Sequence, residues 1–139
     1  MYGRNLKAYK RTSLEAELSV ASPHRVIQML FNGLLERLSQ AKGAIERKDY
    51  EYKANRITKA LGIIDGLQGA LDRNENPALG DKMYALYDYM KQLLGEASAL
   101  LDEKPIDEVI SLITPIKNAW DNIPEDIKQK TNAEIIAKQ

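Results

Sequence analysis

An all-α fold, an antiparallel up-and-down bundle of four long helices with short terminal helical segments, is the class this sequence predicts. Three observations predict it. Apolar residues recur at spacings of three and four over most of the chain, and no segment alternates like a half-buried strand. Strong breakers are few, falling at Lys48-Asp49, Asn74-Glu75-Asn76-Pro77, Lys104-Pro105 and Asn122-Ile123-Pro124. The stretches between them suit helices of about 16–25 residues, and connections this short make sequential helices antiparallel.

The first helix is expected over about 22–47. Ser22 is a good N-cap, and Pro23 suits the first helical position, where its missing N–H costs nothing. On a helical wheel Met29, Val26, Leu30, Ala41, Leu34, Ile27, Leu38, Phe31 and Leu35 spread over roughly 240°, against ~100° or somewhat more for an ordinary amphipathic stripe. Such an excess predicts that something besides the intramolecular core covers Met29 on one edge or Phe31 and Leu35 on the other.

The second helix is expected from about Tyr50 to Arg73, with Ala54, Ile57, Leu61, Ile64, Leu67 and Leu71 inward. The third follows from about Ala78 to Asp102, burying Met83, Leu86, Tyr87, Met90, Leu93, Leu94, Ala97 and Leu101. The fourth places Ile106, Val109, Ile110, Ile113, Ile116 and Trp120 on one side. Pro115 sits inside it and removes the hydrogen bond to the Ser111 carbonyl, so a kink is expected there. Residues 125–137 carry a weak final helical pattern through Ile127, Ile135 and Ile136. The domain organisation that follows is an N-terminal arm over 1–21, a helical bundle over 22–122 and a weakly helical tail over 123–139.

With 139 residues, 44% of them hydrophobic and 29% charged, the chain has the make-up of one soluble globular domain. No apolar run is long enough to span a bilayer and no charged-then-apolar leader is visible, so a cytoplasmic protein without stable membrane insertion is expected. The absence of cysteine excludes a disulfide framework and thiolate metal ligation. Twenty basic residues cancel twenty acidic ones, leaving no global field to attract nucleic acid. Arg4, Lys7, Lys10 and Arg11 nonetheless concentrate in an acid-free stretch at the start.

Catalytic chemistry lacks its inventory. His24 is the only histidine, expected as an exposed polar residue in the first helical turn. No Glu-x-x-His pair offers a di-iron site, and no glycine loop of a nucleotide-binding type occurs. The expectation is a protein that is not an enzyme, with no catalytic residue, no metal and no cofactor.

The surface is more informative. Gly62, Gly66 and Gly69 each cost about 1 kcal/mol relative to alanine inside a helix. They cluster within about 60° of one another on the wheel, making a smooth strip with Ile63 along its margin where a second backbone can approach. Tyr84 and Tyr89 fall on opposite flanks of the third helix and suit contacts with a partner, since tyrosine offers broad apolar area with one polar tip. Leu6 and Tyr9 lie on a short amphipathic stretch able to shield the surplus apolar surface. The candidate partner-binding residues are therefore Leu6, Tyr9, Ile27, Met29, Phe31, Leu35, Gly62, Ile63, Gly66, Tyr84 and Tyr89.

Taken in order, Leu6-Lys7-Ala8-Tyr9, Ala21-Ser22-Pro23-His24, Met29-Leu30-Phe31-Asn32-Gly33, Ile57-x-Lys59-Ala60-x-x-Ile63-Ile64-x-x-Leu67, Leu86-Tyr87-Asp88-Tyr89-Met90 and Ala119-Trp120 resemble the flagellar secretion chaperones of the FliS family. The resemblance covers about residues 2–121. Phe31-Asn32 stands where many members have Tyr-Asp. What the resemblance implies is a cytoplasmic export chaperone that binds the disordered C-terminal segment of flagellin. Such a chaperone prevents premature polymerisation and delivers its cargo to a flagellar export gate component; some members also bind an anti-sigma factor. It further implies that the N-terminal stretch, here Leu6 and Tyr9, covers or completes the binding surface. The alternative is a self-associating structural or regulatory bundle, whose surplus apolar arc a second copy covers.

Overall fold

Four α-helices, and no strand, occupy the residues described by the computed structural model, 22–124: α1 (Pro23–Glu46), α2 (Tyr50–Gly69), α3 (Pro77–Leu100) and α4 (Lys104–Asp121). Gln28–Asn122 make one compact unit, and the described residues outside it, 22–27 and 123–124, belong to a second. The all-α class is as the sequence predicts.

Each helix starts where a side chain satisfies an orphan amide. Ser22 Oγ accepts from the Arg25 N–H at 3.2 Å, Asp49 from Tyr52 at 3.2 Å, and Asn76 from Leu79 at 3.2 Å ahead of Pro77. At α4 the residue before the helix, Glu103, forms no side-chain cap bond, and Asp102 instead accepts from the Lys104 N–H at 3.0 Å.

Two helices end on left-handed residues that are not glycine. At the end of α1 the Lys48 and Asp49 amides donate to Ile45 and Ala44 carbonyls at 3.1 and 2.9 Å, with Lys48 at φ 60°. That pairing is a Schellman closure. Leu101, at φ 54°, closes α3 in a similar way through Ala97, which also accepts from the Asp102 amide. The Ser98 carbonyl is then left over, and the buried Lys53 of α2 takes it with Nζ at 3.1 Å. A cation at a helix C-terminus also meets the negative end of the α3 dipole.

Side-chain contacts fix the order of packing. Arg56 on α2 donates to Gln40 on α1 at 3.2 Å. Gln68 on α2 donates to the Tyr84 carbonyl on α3 at 3.0 Å, and Tyr89 on α3 donates to Glu108 on α4 at 2.6 Å. The circuit closes between α1 and α4, where Gln28 donates to Asp121 at 2.8 Å and Lys42 meets Asp107 at 2.5 Å. The residue numbers make α1–α2, α2–α3 and α1–α4 antiparallel, and the short connection between α3 and α4 makes that pair antiparallel too, the up-and-down arrangement of a four-helix bundle. Leu34, Leu38, Ile64, Met90, Leu94, Ile106, Val109 and Ile113 fill the centre, fully buried. Each such side chain contributes about 1.5–3 kcal/mol of burial free energy.

The breadth of the α1 arc now has an intramolecular account. A helix in this circuit presents one sector to the centre and one to each neighbour, so an apolar sector well beyond 100° is used within the molecule. Leu34, Leu38 and Ala41 point inward, Leu30 borders α2, and Phe31 turns toward α4.

Other expectations shift in detail. α2 ends at Gly69, before the anticipated Arg73. The connection then brings Arg73 against the first turn of α3, where a Cβ on Gly80 would lie 3.1 Å from Arg73 Cα. The buried stripe of α2 is also turned: Lys53, Ala60 and Gln68 are buried beside Ile57, Ile64 and Leu67, while Ala54 is exposed. Lys53 and Gln68 replace apolar positions because each finds hydrogen-bond partners on α3. Leu101 is exposed, since it serves as the left-handed closing residue rather than as core. α4 continues through Pro115, with the Thr114 hydroxyl donating to the Ile110 carbonyl at 2.7 Å. His24, expected at the surface, is only 5% exposed. The final helical pattern over 125–137 lies outside the described residues.

Candidate functional site

The glycines of α2 are open. Among the described residues a Cβ on Gly62 or Gly69 would meet nothing within 4 Å, and both glycines are exposed. Gly66 is exposed as well, and a Cβ there would reach Leu30 of α1 at 3.7 Å, an ordinary contact. One turn back along α2, Ile63 packs over Gly33 of α1, whose added Cβ would lie 3.4 Å from Ile63 Cδ1. The two helices thus meet in a seam of reciprocal small and large residues, Gly33 under Ile63 and Gly66 beside Leu30. Beyond it lies the bare helical backbone at Gly62 and Gly69. Chemically the seam offers apolar side chains and close backbone approach, which suits helix-in-groove contact.

The remaining candidates are distributed differently. Ile27, Met29, Leu35 and Ile63 are half-buried. Phe31 departs from the open edge expected for it: it is 2% exposed, with its ring edge-on to Trp120 of α4 at 6.5 Å between centroids. That contact makes Phe31 part of the α1–α4 packing. Leu6 and Tyr9 lie outside the described residues.

Tyr84 and Tyr89 are 38% and 41% exposed, and both have intramolecular partners. The Arg73 guanidinium stands over the Tyr84 ring at 4.7 Å while pairing with Asp81 at 2.6 Å. Tyr89 donates to Glu108, and that hydrogen bond holds its phenol above the usual tyrosine range. Neither tyrosine contributes to the α1–α2 seam. The structure therefore brings together Ile63, Gly66 and Gly62 and leaves the tyrosines on separate flanks.

Leu30 and Gly33 were missed as members of this seam. The signal was available: in an antiparallel hairpin closed at 47–49, residues equidistant from the turn face one another, which pairs Gly33 with Ile63 and Leu30 with Gly66.

Between α2 and α3 a polar network closes the other side of α2. Buried Gln68 donates to Asp88 at 2.9 Å and accepts from Lys91 at 2.8 Å, and Lys91 also reaches Asp65 at 3.1 Å. The hydrogen bond from Gln68, then that from Lys91, holds the Asp88 carboxyl below the usual range. Lys91 is raised, chiefly by its bond to Asp65. This network has the character of a structural clasp. No grouping of three or more potential metal-ligating side chains exists among the described residues, and no helix there is long and apolar enough to cross a membrane.

Comparison with known proteins adds an independent line. The family described as "Flagellar protein FliS" matches residues 5–127. The chain is similar to the flagellar secretion chaperone FliS of Vibrio cholerae serotype O1, 38% identical over 131 residues that cover 94% of this chain and 96% of the relative. It is 45% identical over 118 residues to the flagellar secretion chaperone FliSB of Pseudomonas aeruginosa, covering 85% and 94%. With FliS of Bacillus subtilis it shares 35% identity over 113 residues, covering 81% and 80%. An all-helical architecture over the described residues and a family match across most of the sequence agree: the chain belongs to the FliS family of flagellar proteins.

Proposed function

We propose that this protein is a cytoplasmic export chaperone that binds the disordered C-terminal segment of flagellin, keeps it from polymerising early and hands it to the flagellar export gate. The observation that carries the reading is the open glycine face of α2 beside the half-buried apolar residues of the α1–α2 seam, in a chain whose relatives are named flagellar secretion chaperones. A disordered segment loses ordering entropy when it binds, so it needs a long apolar track rather than one deep pocket. Met29, Ile63, Gly62 and Gly66 supply such a track, with Ile27 and Leu35 as further apolar contacts and the arm residues Leu6 and Tyr9 as its cover. Release needs no nucleotide: the export gate competes for the complex, and the cargo leaves as it is threaded. Binding of an anti-sigma factor, as in some members of the family, is a further proposed role.

Calorimetric titration with a peptide from the C-terminal region of flagellin tests the proposal. The expected result is one-to-one binding with a large negative heat-capacity change, the mark of folding coupled to apolar burial. A folded chain that ignores the peptide and scatters light as a tight dimer would instead support the self-associating bundle.

A further inference from the structure

Seen from the other end, the α1–α2 seam changes character. About 10 Å along α2 from Ile63, two helical turns toward the α1–α2 connection, the apolar and glycine lining gives way to cations. Arg37 of α1 and Arg56 of α2 both donate to one neutral oxygen, Gln40 Oε1, at 2.9 and 3.2 Å. Arg56 also donates to Asn55 Oδ1, through Nε at 2.9 Å and through its terminal nitrogen. Two guanidinium groups stand over the Tyr52 ring, Arg56 at 5.1 Å and Arg47 at 5.9 Å from its centroid. Among the described residues no carboxylate lies within ion-pair distance of Arg47, Arg56 or Lys59. Arg37 has only the exposed Glu36, at 3.5 Å.

Two guanidiniums on a single uncharged acceptor repel one another, and among the described residues the only carboxylate in reach of either is the exposed Glu36, 3.5 Å from Arg37. An incoming carboxylate would be held by both, in the forked geometry at which arginine excels. A polyphosphate or an anionic membrane fits less well. The cluster is compact, Glu36, Asp49 and Glu51 lie close by in sequence, and the whole chain has zero net charge.

We propose that the arginine end of the α1–α2 seam is a specificity-determining site for carboxylates of the bound segment. It would select amphipathic peptides whose acidic side chains stand about two helical turns from their apolar anchors. The inference rests on the chaperone reading above and adds to it which cargo segments are accepted. Apolar residues on the Leu30–Ile63 half supply affinity, and charge on the Arg37–Arg56 half sets register and orientation.

The test uses the full chain, the flagellin C-terminal peptide, and that peptide with its acidic residues changed one at a time to lysine. Arg56→Glu combined with Lys59→Glu should weaken binding about tenfold at low salt, with the difference shrinking as salt rises. One lysine-bearing peptide should recover most of the loss. Arg56→Gln, which leaves a side chain able to hydrogen-bond near Gln40, should lose less and keep the melting curve of the unmodified chain. Equal affinity of all variants for the unmodified peptide overturns the site while leaving the chaperone reading intact. No binding of the peptide by the unmodified chain overturns both. Tight binding of mixed phosphatidylglycerol–phosphatidylcholine vesicles or of a uridine oligomer, lost in the same variants, overturns the assignment to a peptide.

Discussion

Gln68 shows what a single buried polar residue contributes. Its amide nitrogen serves the Tyr84 carbonyl and Asp88, its oxygen serves Lys91, and no buried side-chain polar atom among the described residues lacks a partner. Removing a partner from such a node costs about 1–3 kcal/mol. Periodicity could not reveal this, because a helical wheel scores glutamine as surface, whereas the partners lie on α3. Tyr87 is the opposite case, correctly legible as core from its place in the stripe. Burial pushes its phenol up to about 12. Below pH 10 the phenol is protonated in both states and stability is unaffected. From pH 10 to 12 the unfolded chain ionises first, so stability falls, by about 2–3 kcal/mol once both forms are titrated. Tyr87→Phe should flatten that alkaline limb in denaturant titrations run at a series of pH values; an unchanged limb would remove Tyr87 as its source.

Helix ends carry the information that stripes do not. Ser22, Asp49 and Asn76 were all recognisable as capping residue types, and Ser22 was identified as such from Ser-Pro. The closing residues were less legible, because Lys48 and Leu101 occupy left-handed positions that usually belong to glycine. Lys48 is exposed, so Lys48→Gly relieves a steric cost of about 1 kcal/mol and sacrifices little packing. The expected outcome is a melting temperature raised by about 2–5 °C, read by circular dichroism. A lower value would mean that the lysine side chain holds the turn in a way its φ conceals. The four stripes were legible to within a small rotation. α2 was misjudged where Lys53 and Gln68 are buried, since their partners are groups of α3, the Ser98 carbonyl for Lys53 and the Tyr84 carbonyl with Asp88 and Lys91 for Gln68, that come into reach only after packing.

For the molecule as a whole, architecture was legible and the site only in part. Short connections and repeated three-four spacing force antiparallel neighbours, so the bundle follows from the chain. The width of the α1 arc was harder to interpret, because helix-to-helix seams and partner surfaces use the same residues; Phe31 turned out to belong to the former. The glycines are the feature that packing alone does not explain. Gly66→Leu should preserve the fold, since the position is exposed and its nearest neighbour is the flexible Leu30 side chain. It should weaken binding of the flagellin peptide about tenfold by covering the approach to α2. Unchanged affinity would remove the glycine face from the binding surface.

The closure between α1 and α4 carries a consequence in time. Three of the four helix pairings join sequence neighbours and can form as soon as each hairpin exists, whereas Gln28 and Asp121 are separated by 93 residues. Local pairings form quickly and distant ones late. During synthesis, then, Phe31 must wait for Trp120, and the flank of α1 that the finished protein hides is the last surface to leave water.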